Sequence, residues 1–348
     1  MVQCQPHPAH PAHPSTTREF ALEINCAFAT SVATPDHIVR AEQLGYQRAW
    51  CYDSPSIYAD VWMALAVAAV RTSRIRVGVG VVTPHVRHVL ANAAATAHLA
   101  ALAPGRTDLV VGSGFTSSAL IGRKSARWVD VEQYVLALRA LLAGESVEWD
   151  GSTVALLHGE ASGVRLPVDV PIWIAAHGPK GFAVADRVAD GVLTNPLHGK
   201  DRMADEGPCS ITFQGTVLDD GESADDPRVL AAAGPGAALA LHMGEYGPVA
   251  GHPDQVGHAA ELAAVPEHRR HLETHRGHLI EANEIDQRYL SGELVLRTTM
   301  TGDRQEVARR LAALRDAGAT AVLYQPAGPD IPRELETFAE AAALIDQV

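Results

Sequence analysis

From about residue 20 to its end the chain alternates short β-branched or apolar runs with longer helical stretches, eight times over. The runs lie at 20–29, 48–53, 75–83, 106–114, 170–176, 190–194, 211–218 and 319–325. Strands separated by helices pair in parallel through right-handed crossovers, and eight such units are the number that closes a sheet on itself. The pattern predicts an α/β fold of the (β/α)8 TIM-barrel type. Chemistry in such barrels gathers on the loops leaving the C-terminal strand ends, so residues just after each run are the first functional candidates.

Composition fits one large core: 348 residues, 47% hydrophobic, allow a single barrel over 19–348 carrying an insertion. The formal net charge is −13 and no basic run stands out, which argues against nucleic-acid or anionic-membrane partners. A small-molecule substrate is expected instead, with a homo-oligomer an open alternative to a monomer. Cys4, Cys26, Cys51 and Cys209 are scattered without a Cys-x-x-Cys or a disulfide-like spacing, which fits a reducing, cytoplasmic setting. Residues 1–18 are rich in Pro and His (His7, His10, His13) and lack an apolar signal stretch, so they read as a disordered tail.

Helix signals fall between the runs. Thr34-Pro35-Asp36 reads as an N-cap and first turn, with Gly45 as the stop. Residues 61–70, 89–103 and 128–142 suit the outside of a barrel, and Asp150-Gly151 between two apolar runs signals a small hairpin. The seventh connection is far longer than one crossover needs, so residues 219–302 are expected to form a helical, His-rich insertion over the mouth, followed by a helix at 303–317. A last helix is expected at 332–345.

Run five ends in Ile174-Ala175-Ala176-His177-Gly178-Pro179-Lys180-Gly181, with a helix expected from near Phe182. Glycine lets backbone approach an anion, proline pre-sets the first turn, and freed N–H groups point at a ligand beside a lysine. By mechanism this is a phosphate site, although an ordinary βα turn uses the same punctuation. Run six ends in Leu193-Thr194-Asn195-Pro196, placing Thr194 and Asn195 beside it.

These residues carry a resemblance. Ala175 to Lys180 followed by Asp190 to Asn195 resembles the luciferase-like monooxygenase superfamily, and most of all its deazaflavin branch, which includes methylenetetrahydromethanopterin reductase. The run-three segment Val77 to Pro84, with Thr83 in it and Arg87-His88 downstream, is similar to the same branch. So are Gly112-Ser113-Gly114, and at the end Leu323-Tyr324-Gln325-Pro326 and Pro329-Asp330. The resemblance implies a flat tricyclic cofactor, coenzyme F420, in the barrel mouth with its phosphate tail near strand five. It implies contact of Asp53 with the ring system, where the residues alone allow a capping Asp before Ser54-Pro55. It also implies a cis peptide at Gly80-Val81 against the ring face. The cofactor-binding candidates are thus Asp53, Gly80, Val81, Thr83, Gly112, Ser113, Gly114, Ala176, His177, Gly178, Pro179, Lys180, Thr194 and Asn195.

Two departures bear on substrate. The branch's sugar-phosphate dehydrogenases carry an acidic residue after the strand-four Gly-x-Gly and a histidine after the strand-two Asp; Phe115 and Ser54 stand there. Sugar-phosphate oxidation is therefore disfavoured. In the insertion, His271, His275 and His278 fall at i, i+4 and i+7, one face of a helix, with Glu281 and Asp286 close behind. His275 and His278 are the candidate catalytic proton donors, against the alternative of hydrogen-bonded lid histidines. The spacing would suit a metal, but no metal is expected. The leading expectation is an F420-dependent oxidoreductase moving a hydride to or from an imine, enone or similar small molecule. The runner-up is an FMN-dependent monooxygenase using oxygen. A non-catalytic flavin-binding barrel and a metal-dependent hydrolase rank lower, the latter because no His-x-His ends strand one.

Overall fold

The computed structural model describes residues 22–203 and 207–348. The tail expected at 1–18, with Cys4 and its three histidines, lies outside the described residues. Eight parallel strands close into a barrel: β1 Glu23–Phe28, β2 Arg48–Cys51, β3 Arg76–Val82, β4 Thr107–Gly112, β5 Ile172–Ala175, β6 Gly191–Thr194, β7 Cys209–Gln214 and β8 Ala321–Gln325. Closure is direct, since Cys26 of β1 faces Ala49 of β2 on one side and Tyr324 of β8 on the other. All eight expected runs are strands of this sheet. No helix among the described residues is long and apolar enough to cross a membrane.

Four expectations about local structure need correction. Strand seven begins earlier and ends at Gln214, because Gly215 turns the chain at φ 147° where a Cβ would lie 2.5 Å from the Met300 backbone. Val217 then makes only a bridge to Gly302. The first helix, Thr34–Gln43, has Ala33 as its N-cap; Thr34 lies inside the turn, its hydroxyl accepting from the Ser31 amide at 2.8 Å. The helix after β5 starts at Pro179 rather than near Phe182, because proline already has the helical φ and donates no N–H. The last helix, Ile331–Ala342, ends before the expected boundary. Elsewhere the helix Trp128–Leu142 keeps its expected bounds. Asp150 (φ 49°) and Gly151 (φ 77°) turn a hairpin between Val147–Trp149 and Ser152–Val154.

Inside the barrel, Ala27, Trp50, Val110, Trp173, Leu193 and Leu323 pack as one cluster, the two indoles edge to face with centroids 5.8 Å apart. The opposite faces of the strands pack on the surrounding helices in the main core. At the N-terminal ends, fully buried Asp108 accepts from Trp50 Nε1 at 2.5 Å, Arg48 Nε at 3.0 Å and Arg76 Nε at 2.9 Å. Gly78 makes room, since a Cβ there would stand 1.7 Å from the Asp108 carbonyl oxygen. This charged plug closes the barrel bottom, leaving the C-terminal face as the opening.

Between β7 and β8 run five helices, Pro227–His242, Pro253–Ala264, Glu267–Thr274, Glu284–Gln287 and Gly292–Thr298, before the barrel helix Arg304–Asp316. They have a small core of their own around Val229, Ala233, Leu241, Val249, Leu294 and Val295. Their base is tied down by buried Glu334, which accepts from Arg228 Nη1 (3.1 Å), Arg333 Nη1 (2.9 Å) and Thr216 Oγ1 (2.6 Å).

Removing one member of a buried ionic group strands the others without partners. Asp108→Ala, which leaves two guanidinium groups and an indole N–H facing one another, is expected to lower stability by about 3–5 kcal/mol in urea unfolding. A loss below about 1 kcal/mol would show that the plug does not hold the barrel bottom.

Candidate functional site

The mouth has an apolar floor made by neighbouring strand ends. Gly112 of β4 pairs with Ala175 of β5 and Val111 pairs with Val82, the β3–β4 register shifting between Gly80 and Val82. The Gly80-Val81 peptide is cis, as the resemblance implied. A Cβ on Gly112 would sit 3.3 Å from the Val81 side chain, so the glycine is what lets Val81 lie across the strand end. Val81, Ala175 and Tyr52 are partly exposed and cap the inner cluster. Tyr52 is held by its hydroxyl, which donates to Gln325 Oε1 at 2.6 Å.

On the β4 side, Gly114 has φ 76°, and a Cβ would meet Thr83 Cγ2 at 2.3 Å and Ser118 Oγ at 2.8 Å. Thr83 is buried and shares a hydrogen bond with Ser117 (3.0 Å), while the buried Ser118 hydroxyl has no partner among the described residues. Ser113 turns its carbonyl to the Ala126 amide at 2.8 Å.

On the β5 side, Ala176 is buried and its amide donates to Leu193 at 3.0 Å, while His177, Pro179 and Lys180 are exposed. Gly178 is the N-cap of the helix Pro179–Val188, and a Cβ on it would meet nothing within 4 Å. Gly181 is the reverse case: a Cβ would strike Trp128 at 2.5 Å, so the first turn sits hard against its neighbour. Thr194 Oγ1 lies 3.4 Å from His177 Nδ1, and Asn195 Oδ1 accepts from the His198 amide at 3.1 Å. These residues form an open polar step beside the apolar floor.

Asp53 has a partner that neither sequence reading named. It is buried, and both its oxygens accept from Arg87, at 2.8 Å from Nε and 3.1 Å from Nη2. Arg87 also reaches Asp60 Oδ2 at 2.8 Å, tying the loops after β2 and β3 together. Asp53 is thus a neutralised anchor under the rim; nothing in the spacing of Asp53 and Arg87 announces the pairing.

The expected helix face of His271, His275 and His278 does not form. The helix stops at Thr274, His275 is its C-cap, and Gly277 (φ 71°) and Leu279 (φ 57°) turn the chain. His271 stays behind on the helix, while the His275 and His278 rings still meet, centroids 5.2 Å apart. The turn brings them to His242, whose ring stacks on His278 at 5.9 Å and meets His275 edge-on at 6.1 Å. His242 and His258 each approach Asp286 Oδ1 through Nε2, at 2.9 and 2.8 Å. Neither histidine was legible as a site residue, because each sits alone on an Ala-rich helix.

Burial, then the neighbouring His242, pushes His275 down to about 4 and His278 down to about 3. Both are neutral rings at neutral pH, a form that offers a lone pair rather than an easily lost proton. Burial alone would raise the Asp286 carboxyl, but the bonds from His242 and His258 outweigh it and hold it at about 2. The group touches the barrel rim: Tyr58 donates to the His278 carbonyl at 2.7 Å, Thr116 Oγ1 lies 3.3 Å from His278 Nε2, and the Phe115 ring meets His275 edge-on at 5.8 Å.

A family model described as luciferase-like monooxygenase matches residues 29–321. The chain belongs to the luciferase-like monooxygenase family. It is 34% identical over 165 residues to 5,10-methylenetetrahydromethanopterin reductase of Methanolobus tindarius, covering 46% of this chain and 49% of that one. It is 30% identical over 191 residues to F420-dependent glucose-6-phosphate dehydrogenase of Intrasporangium calvum, covering 49% and 56%. The chain thus spans about half the length of the curated relatives it matches. Among solved structures, the coenzyme F420 dependent tetrahydromethanopterin reductase from Methanopyrus kandleri superposes with a TM-score of 0.65 at 18% identity, over 91% of this chain and 97% of that one. That likeness is one of fold.

The Asp53–Arg87 pair gives a prediction. Arg87→Ala leaves a buried unpaired carboxylate and should cost about 3–5 kcal/mol in chemical unfolding. In an Asp53→Asn background the same change should cost markedly less. Equal costs in both backgrounds would remove the pair as the link between the two loops.

Proposed function

We propose that the protein is an oxidoreductase that holds coenzyme F420 in the barrel mouth and exchanges a hydride with a small organic substrate. The observation that carries this reading is the juxtaposition of an apolar floor, Tyr52, Val81 and Ala175, with an open helix N-terminus bearing exposed Lys180. A flat ring with a phosphate tail needs both at once: a dry surface for one end and N–H groups with a cation for the other. The partnerless buried Ser118 hydroxyl and the unobstructed space at Gly178 fit an incoming group. The relative named for F420 supports the same choice.

When bound, the deazaflavin supplies a ring carbon that donates or accepts a hydride. The chain's part is to bind and to shield. Val81, packed on the inner cluster that holds Trp50 and Val110, closes the mouth from below, so a substrate enters from the side of the insertion. The helices between β7 and β8 supply that substrate side and exclude water. Phe115, 59% exposed, presents a ring where a sugar-phosphate dehydrogenase needs a carboxylate, so the substrate is a compact apolar imine, enone or carbonyl compound rather than a sugar phosphate.

The purified protein is expected to quench F420 fluorescence at lower ligand concentration than it quenches FMN. Tighter binding of FMN, with oxygen consumed when the flavin is reduced, would replace this reading with a monooxygenase. Lys180→Ala should weaken F420 by about 1–3 kcal/mol with the melting temperature unchanged. Unaltered affinity would take Lys180 out of the site.

A further inference from the structure

We infer that the insertion holds a divalent cation of the zinc class on His242, His275 and His278, at the seam where it meets the barrel rim. One ligand nitrogen from each of the three lies within 4.8 Å of the others. A tetrahedral ion with Zn–N bonds of about 2.0–2.1 Å sets its ligand nitrogens about 3.3 Å apart, so no pair need close by more than about 1.5 Å. Side-chain rotation supplies that.

The strongest sign lies in the orphaned atoms. The Nδ1 atoms of His242 and His275 are both buried, and neither has a hydrogen-bond partner among the described residues. His242 has a side chain only 2% exposed. A buried ring nitrogen without a partner costs about 1–3 kcal/mol, and a cation held by both rings satisfies both. A cation accepts both lone pairs.

The neighbouring group, His242, His258 and Asp286, also has the spacing of a metal site. It is satisfied without one, since a single Asp286 oxygen takes both imidazole N–H groups. Its part is support. A carboxylate accepting the far N–H of a ligating histidine fixes the tautomer and makes the other nitrogen a better donor, and His258 holds the same carboxylate oxygen. Three imidazoles select a borderline cation over magnesium or calcium, and they leave a fourth position for water or a substrate oxygen. Thr116 and Phe115, on the loop after β4, stand against two of the three rings.

The site does not depend on the hydride-transfer reading, and its test needs neither F420 nor turnover. The full chain, with His7, His10 and His13 changed to Ala to remove stray binding, is stripped with chelator and titrated with Zn2+ against a chromophoric competitor. One equivalent per chain is expected, and Co2+ in its place should give the intense visible bands of tetrahedral coordination. His242→Ala and His275→Ala should each weaken Zn2+ at least 100-fold, and His258→Ala 10- to 100-fold through Asp286. His271→Ala, on the helix outside the group, should bind as the parent does. In case a variant fails to fold, zinc-edge X-ray absorption on the parent should show imidazole nitrogens at about 2.0–2.1 Å. No stoichiometric Zn2+ in the parent, an octahedral Co2+ spectrum, an absorption spectrum without imidazole, or full binding by folded His275→Ala would each overturn the site.

Discussion

The ladder between β1 and β8 joins the first and last strands, Glu23 to Ala321 and Cys26 to Tyr324, and every other feature is built on that closure. An open eight-stranded parallel sheet would leave two edges unpaired and would have no interior. Closing it creates an inside that must be filled, and Trp50 and Trp173 fill it. The loop-closure entropy is offset by burying both strand faces at once, inward on the indole cluster and outward on the helices. Asp108 then sets polarity along the axis, because a buried carboxylate with two arginines stops one end and leaves the other free.

At that free end the backbone shapes the surface more than side chains do. Gly112 makes room for Val81, Gly114 for Thr83 and Ser118, and Gly181 for Trp128. Each is a position where one added methyl would meet packed atoms, so the mouth is defined by close approach of chain to chain. Paired charges brace the rim from below: Arg87 neutralises Asp53 and reaches Asp60, so two loops are fixed by one guanidinium.

The strands were legible because their signal is local and strong: runs such as Val77-Gly78-Val79 are apolar at every position, as a strand buried on both faces must be. The same holds for Asp150-Gly151, whose turn follows from left-handed dihedrals that few other residue pairs accept. Errors arose where a distant residue decides the outcome. Strand seven ends at Gln214 because Gly215 passes the Met300 backbone, and nothing near Gly215 in sequence says so. Asp53 is paired rather than capping because Arg87 arrives from the next loop. The insertion histidines show the limit most clearly. Periodicity pointed to His271, which the fold leaves out, and gave no hint of His242 and His258, which only the packing of separate helices brings to Asp286.

The insertion is held unequally at its two ends. At the base, buried Glu334 takes a charge-assisted bond from Arg228 of the insertion, worth about 1.5–3 kcal/mol. At the tip, contact with the rim runs through neutral groups, the Tyr58 hydroxyl on the His278 carbonyl and the Thr116 hydroxyl near Nε2, at about 0.5–1.5 kcal/mol each. Opening therefore costs least at the tip, with the base as the hinge. The tip is also where Tyr58 packs on Tyr52, centroids 5.6 Å apart, and Tyr52 is bonded through Gln325 to Thr212 inside the barrel. Lifting the histidine group off the rim thus removes the support behind a residue of the mouth floor. Seating it restores that support, so closing the mouth and shaping its floor are one packing event.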